Sequence, residues 1–118
     1  MQKIVITGGL GYIGSELCKL YSGESRFKNI TVIDKRFVSE RVKQLRDWGI
    51  HYVNASILDK DAMRKHLSDA DVVIHLAGIT DVAYTKTQSN EEQDKEIRDT
   101  GILGTQNIID VVGDNCKI

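Results

Sequence analysis

The sequence predicts an α/β fold, a doubly wound parallel sheet with helices on both faces. Short β-branched runs alternate with segments of helical period along the chain. Those runs are near-continuously apolar, as strands are when helices cover both faces of their sheet. Three glycines, Gly8, Gly11 and Gly14, stand where the first run ends and the first helical pattern begins. Strands of this kind, separated by amphipathic helices, join through right-handed βαβ crossovers into one parallel sheet.

The first strand is read at residues 3–7, KIVIT, and the helix after the glycines carries Ile13, Leu17, Leu20 and Tyr21 at helical spacing. A second strand, ITVID at residues 30–34, leads to a helix with Val38, Val42, Leu45 and Trp48 on one stripe, stopped by Gly49. That spacing assigns Trp48 to the core. Residues 50–54, IHYVN, form a third strand, Asp59 caps a short helix bearing Met63 and Leu67, and residues 71–76, DVVIHL, form a fourth strand.

Residues 78–90 lapse into Thr, Asp, Ser, Asn and Gln and read as a loop of the length usually kept for function. The last helix spans residues 91–112, its charged start solvated, with Ile97, Gly101, Gly104, Ile108 and Val111 or Val112 on its core stripe. Gly101 and Gly104 each cost about 1 kcal/mol against Ala, which implies a close backbone approach. Ile102, Leu103 and Ile109 make a second apolar stripe that one sheet cannot cover, so a further surface is expected against it.

A length of 118 residues fits one domain, and 41% apolar with 28% charged residues is the composition of an ordinary globular one. The net charge of -1 gives no electrostatic reason to expect nucleic acid or an anionic membrane, so any nucleotide is held locally. The N-terminus lacks a signal-peptide pattern and no apolar stretch approaches the ~20 residues that span a bilayer, so a cytoplasmic protein is expected. Cys18 and Cys116 have no CxxC or His-rich spacing and read as thiols, without a metal site.

Between strand and helix the glycines have a definite task. Gly8 permits the tight turn, Gly11 lets the backbone reach a pyrophosphate, Gly14 lets the helix lie close to the sheet, and the helix N-terminus offers free N–H groups to the phosphates. Asp34 ends the second strand, 20 residues beyond Gly14, where an acid accepts hydrogen bonds from the adenosine ribose. A carboxylate there repels a 2′-phosphate and favours NAD over NADP; the adjacent Lys35 and Arg36 weaken that preference.

TGGLGYIGSEL resembles the TGxxGxxG fingerprint of the extended short-chain dehydrogenase/reductase superfamily, the NAD-dependent epimerases and dehydratases of nucleotide sugars. VVIHLAG, Val72 to Gly78, resembles that family's fourth-strand signature, and GTQNIIDV, Gly104 to Val111, its following helix. The resemblance covers essentially the whole chain. It implies a Rossmann-like sheet of order 3-2-1-4 that stops before a fifth strand, with the chain as the N-terminal part of a longer fold. NAD is the implied cofactor: Tyr12 and Ile13 meet the pyrophosphate, Asp34 the ribose, Ser56 and Ile57 the adenine, and Leu76, Ala77 and Gly78 the nicotinamide-side ribose. The carboxyl ends of strands one and four meet at the switch point of such a sheet, where ligands bind. Two positions depart from the pattern. Ser56 replaces an Asp that accepts from the adenine amino group, and Gly101 replaces an Asn that ties strand to helix.

The resembled family works through a Tyr-x-x-x-Lys pair with a nearby Ser or Thr. Tyr12, Tyr21, Tyr52 and Tyr84 are followed four residues on by Glu16, Ser25, Ser56 and Gln88, none of them Lys. The chain alone is therefore expected to bind NAD(H) without catalysis, as part of a nucleotide-sugar epimerase or dehydratase-like oxidoreductase whose sugar site lies in further C-terminal sequence. The alternatives are a non-catalytic dinucleotide-binding module acting through a protein partner, or a domain that has lost its ligand. By the resemblance, the helix at residues 91–112 implies a homodimer interface. His75 reads as a packed, hydrogen-bonded histidine, and Thr80 and Asp81 as residues touching nicotinamide or substrate, or a solvated loop.

Overall fold

The computed structural model describes residues 2–24, 29–77 and 91–118, the side chains of residues 91–94 and 96 excepted. The expected loop at residues 78–90 lies outside the described residues. Four strands, β1 (Ile4–Thr7), β2 (Ile30–Asp34), β3 (His51–Asn54) and β4 (Val72–His75), form a parallel sheet in the order β3-β2-β1-β4. Ile4 pairs with Ile30 on one side and with Val72 on the other. The apolar run at residues 71–76 is longer than β4 because the ladder follows β1, which is only 4 residues long.

Period-two alternation sorts the strand side chains into two cores. Ile4, Ile6, Ile30 and Val32 pack with Cys18, Val42 and Leu45 of α1 (Tyr12–Ser22) and α2 (Ser39–Asp47). Val5, Ile33 and Val73 pack on the other face with Met63, Leu67, Ile108 and Val111 of α3 (Lys60–Leu67) and α4 (Glu91–Val111). The chain therefore changes face between β3 and β4, which makes the gap between β1 and β4 a topological switch point.

Three helix faces differ from expectation. On α1 the buried residues are Gly14 and Cys18, while Ile13 and Leu20 are 62% and 67% exposed. A Cβ on Gly14 would stand 2.6 Å from the Cα of Gly9, so the helix comes closest there and the neighbouring face turns outward. On α2, Val42 and Leu45 are buried, Val38 sits at the rim as N-cap, and Trp48 is half-buried against the core at the C-cap. Gly49, with φ +77°, supplies the left-handed residue that ends the helix. On α4 the buried line is Thr100, Gly104, Ile108 and Val111, one position away from Gly101.

Only one of the two helical glycines meets a close approach. A Cβ on Gly104 would press into the Ile57 side chain, 2.6 Å from its Cγ1, whereas no described atom lies within 4 Å of one on Gly101. Ile102, Leu103 and Ile109 are exposed, as their stripe implies. Asp59 accepts the Ala62 N–H at 3.1 Å and caps α3. Beyond α4, Lys117 bridges to Val72 in parallel, its carbonyl accepting the Val73 N–H at 2.7 Å. The resemblance implies a sheet that stops before a fifth strand, and this bridge is an isolated one beside β4. Among the described residues, no helix is long and apolar enough to cross a membrane.

Candidate functional site

β1 ends at Thr7, and the chain turns at once through Gly8, whose φ of +74° favours glycine. A Cβ at Gly8 would also stand 2.8 Å from the Cα of Ala77, so the turn lies directly against the exit of β4. At Gly14 a Cβ would come within 2.6 Å of the Gly8 carbonyl oxygen. The same crowding applies at Gly9, unremarked in the sequence, where a Cβ would meet Val32 Cγ2 at 2.8 Å. Gly11 differs, with Gly8 O at 3.3 Å and Arg36 Nη2 at 3.5 Å as its nearest neighbours. Its open side belongs to a cleft.

Gly11 is the N-cap of α1, no side chain caps the helix, and its first turn carries no acid. The first-turn N–H groups consequently have no side-chain acceptor, at the positive end of the helix dipole. They border a cleft of about 760 Å³, a size typical of ligand sites. Gly8, Gly11, Tyr12, Ile13, Gly14, Asp34, Lys35, Ser56, Ile57, Leu76 and Ala77 all line it. Gly78 and Thr80 lie outside the described residues. Arg36, expected with Lys35 to weaken the NAD preference, also lines the cleft, as do Ile33, Ala55, Leu58 and Thr100, which were not anticipated. Three of these adjoin residues that were; Thr100 lies one turn before Gly104 on the same face, a spacing that could have revealed it.

Asp34, the expected acceptor for the adenosine ribose, is enclosed by donors of this chain. It is 5% exposed. Oδ2 accepts the Leu10 N–H at 3.1 Å and Oδ1 the Arg36 N–H at 2.9 Å. The Arg36 guanidinium adds Nε to Oδ1 at 3.3 Å and Nη2 to Oδ2 at 3.4 Å. A strand-end carboxylate beside both the glycine turn and a following Arg meets these donors because all three are local in sequence or sheet order.

On the opposite wall, Ser56 Oγ accepts the Leu58 N–H at 3.1 Å, and the Ile57 carbonyl accepts from Asn107 Nδ2 at 3.0 Å. With Ile57 seated over Gly104, helix α4 sets the position of this wall.

The floor is set by a partly buried polar chain. Thr7 Oγ1 accepts the N–H groups of Leu76 and Ala77 at 3.1 and 3.2 Å. Its two lone pairs are thereby occupied, so the hydroxyl donates to His75 Nδ1 at 2.7 Å. The ring proton then sits on Nε2 and is donated to Thr105 Oγ1 at 3.0 Å. Burial lowers the His75 pKa, favouring this neutral form. His75 is a packed histidine, and it supplies a tie between β4 and α4 that Gly101 cannot.

A sequence model of the 3-beta hydroxysteroid dehydrogenase/isomerase family matches residues 5–116. The chain belongs to this family, within the short-chain dehydrogenase/reductase and epimerase/dehydratase group. It is 29% identical over 116 residues to the dTDP-D-glucose 4,6-dehydratase of Dictyostelium discoideum, covering 93% of this chain and 26% of that protein. It is 32% identical over 109 residues to the UDP-N-acetyl-alpha-D-glucosaminuronate decarboxylase of Bacillus cytotoxicus, covering 92% of this chain and 32% of that protein. Among solved structures it is similar to the UDP-glucose-4-epimerase of Stenotrophomonas maltophila, with bound NAD and formylated UDP-arabinopyranose, at a TM-score of 0.74 and 20% identity. That match covers 94% of this chain and 33% of the epimerase. This family member thus spans about a third of the length of the relatives it matches, in the part that forms their Rossmann-like N-terminal region.

Proposed function

We propose that this chain is the NAD-holding portion of an oxidoreductase acting on nucleotide sugars. The observation that carries the reading is the glycine turn. Gly8 and Gly14 are positions a Cβ would fill with backbone contacts, and Gly11 leaves an uncapped helix N-terminus open to the cleft. Those features fit a diphosphate. The first-turn amides of Tyr12, Ile13 and Gly14 would hold it, Asp34 with Lys35 the adenosine ribose, Ser56 and Ile57 the adenine, and Leu76 and Ala77 the nicotinamide-side ribose. When bound, NAD would supply hydride acceptance and return.

Support for the substrate class comes from the dehydratase, decarboxylase and epimerase relatives. No tyrosine here is followed four residues on by Lys, so the proton transfer of the reaction is assigned outside these residues. Isothermal titration with NAD and with UDP-glucose tests both halves: NAD binds, the sugar nucleotide does not, and nothing turns over. Turnover of a nucleotide sugar by this chain alone would contradict the assignment.

A second reading is a dinucleotide-binding module that acts through a protein partner. The exposure of Ile102, Leu103 and Ile109, at 61%, 55% and 52%, favours it. The same stripe would serve a homodimer.

A further inference from the structure

The glycine turn needs more anchoring than an ordinary one. Gly8, Gly9 and Gly11 carry no side chain, and glycine has more backbone freedom to lose on ordering than any other residue. Leu10, between them, is fully buried in the core that it shares with Cys18, Val42 and Leu45.

The backbone of Leu10 is gripped on both sides. Its N–H donates to Asp34 Oδ2 at 3.1 Å, and its carbonyl accepts from Arg41 Nη1. The next N–H, that of Gly11, donates to the Gly8 carbonyl at 3.0 Å. The peptide plane between Leu10 and Gly11 is therefore held at its nitrogen by the turn itself and at its oxygen by Arg41. Gly11 is the N-cap of α1, so this plane sets the direction in which the helix begins.

Arg41 stands 31 residues beyond Leu10, in the first turn of α2. Neither residue is among the described ones that line the cleft, so an effect of Arg41 on a ligand has to pass through the backbone of the turn. A guanidinium suits that task, because it stays charged and a charged donor binds a carbonyl more strongly than a neutral one.

We propose that Arg41 is a positioning residue for the diphosphate: by holding the Leu10 carbonyl it aims the first-turn amides of Tyr12, Ile13 and Gly14 before any dinucleotide arrives. The inference rests on the dinucleotide reading above and adds to it a residue outside the cleft. Without Arg41 the carbonyl turns to solvent, the plane is free to rotate, and binding has to reorder the turn.

Titration calorimetry with NAD on the wild type, Arg41→Met and Arg41→Lys tests it, with urea midpoints recorded so that each titration is made on folded protein. Methionine keeps an unbranched stem without a donor, whereas lysine keeps the charge and a donor. Arg41→Met should bind NAD roughly tenfold more weakly, the effect of losing a charge-assisted hydrogen bond. Arg41→Lys should fall between. Adenosine, which has no diphosphate, should bind all three proteins alike when followed by NMR titration. A purely structural arginine would lower the midpoint and leave the NAD dissociation constant of the folded protein unchanged. That result, an equal loss for NAD and adenosine, or an Arg41→Lys that binds no tighter than Arg41→Met overturns the proposal and leaves the dinucleotide reading standing. A cooperatively folded wild type that binds no NAD overturns both.

Discussion

The hydroxyl of Thr7 and Nδ1 of His75 lie 2.7 Å apart, joining the ends of β1 and β4 directly beneath the cleft. Protonating Nδ1 would set a donor against a donor and break the chain that runs on to Thr105. Burial lowers the His75 pKa from 6.5, so below that value the unfolded chain takes up a proton more readily than the folded one. The contribution is complete above 6.5 and declines as pH falls toward the folded value. His66 acts in the same direction, through burial and then Lys65. Urea unfolding between about pH 7.5 and about 5.5, a window that carboxylates do not dominate, should show stability falling on acidification, and less so in His75→Asn. Equal losses in both proteins would remove His75 from the explanation.

The two glycines of α4 should respond oppositely to alanine. Nothing described crowds Gly101, so Gly101→Ala should stabilise by about 0.5–1 kcal/mol through helix propensity. Gly104→Ala must displace Ile57, an overpacking cost of about 1–3 kcal/mol that outweighs the same gain. Thermal or denaturant midpoints decide it, and two shifts of like sign would be inconsistent with the packing.

Asp34 holds the glycine turn before any ligand arrives. Asp34→Ala leaves the Leu10 amide without its acceptor, at a cost of about 1–3 kcal/mol. Arg36→Ala removes only a half-exposed ion pair, worth about 0–1 kcal/mol. Denaturant midpoints for the pair should rank in that order, and the reverse order would deny the carboxylate its role in the turn.

Cys18 lies against the β1–β2 face, and burial pushes its thiol up to about 11. Cys116 is only partly buried. A thiol-specific chromogenic reagent at neutral pH should modify Cys116 in the native chain and reach Cys18 only on unfolding. Rapid native modification of Cys18 would mean that α1 opens readily.

The strands, the helices and the glycine turn were legible because they rest on local signals, whereas the sheet order and the walls at Ser56, Ile57, Leu76 and Ala77 came only through the family resemblance. The apolar runs mark the strands, and the glycine spacing marks the turn that brings Gly8 against Ala77. What stayed hidden depends on distances between segments far apart in sequence. Helical spacing put Ile13 on the core face of α1, where Gly14 and Cys18 one residue on are buried instead; on α4 it found Gly104, Ile108 and Val111, and missed that Thr100 rather than Gly101 continues their line. Asp34 was recognisable as a strand-end acid. Its enclosure was not, because it depends on a side-chain rotamer of Arg36. Thr100 enters the site only through the packing of α4 over Ile57.

The central claim is that the glycine turn is a preformed diphosphate cradle. A thermal melt with and without NAD, on the wild type and on Gly11→Ala, tests it most directly. The nearest atoms to a Cβ at Gly11 are at 3.3 and 3.5 Å, so the variant folds with a small adjustment while a methyl is added to a residue that lines the cleft. At about 100 times its dissociation constant, NAD should add roughly 2.7 kcal/mol to the wild type, a rise on the order of 10 °C, and much less to the variant. A wild type that melts cooperatively at the same temperature with and without NAD would contradict the claim.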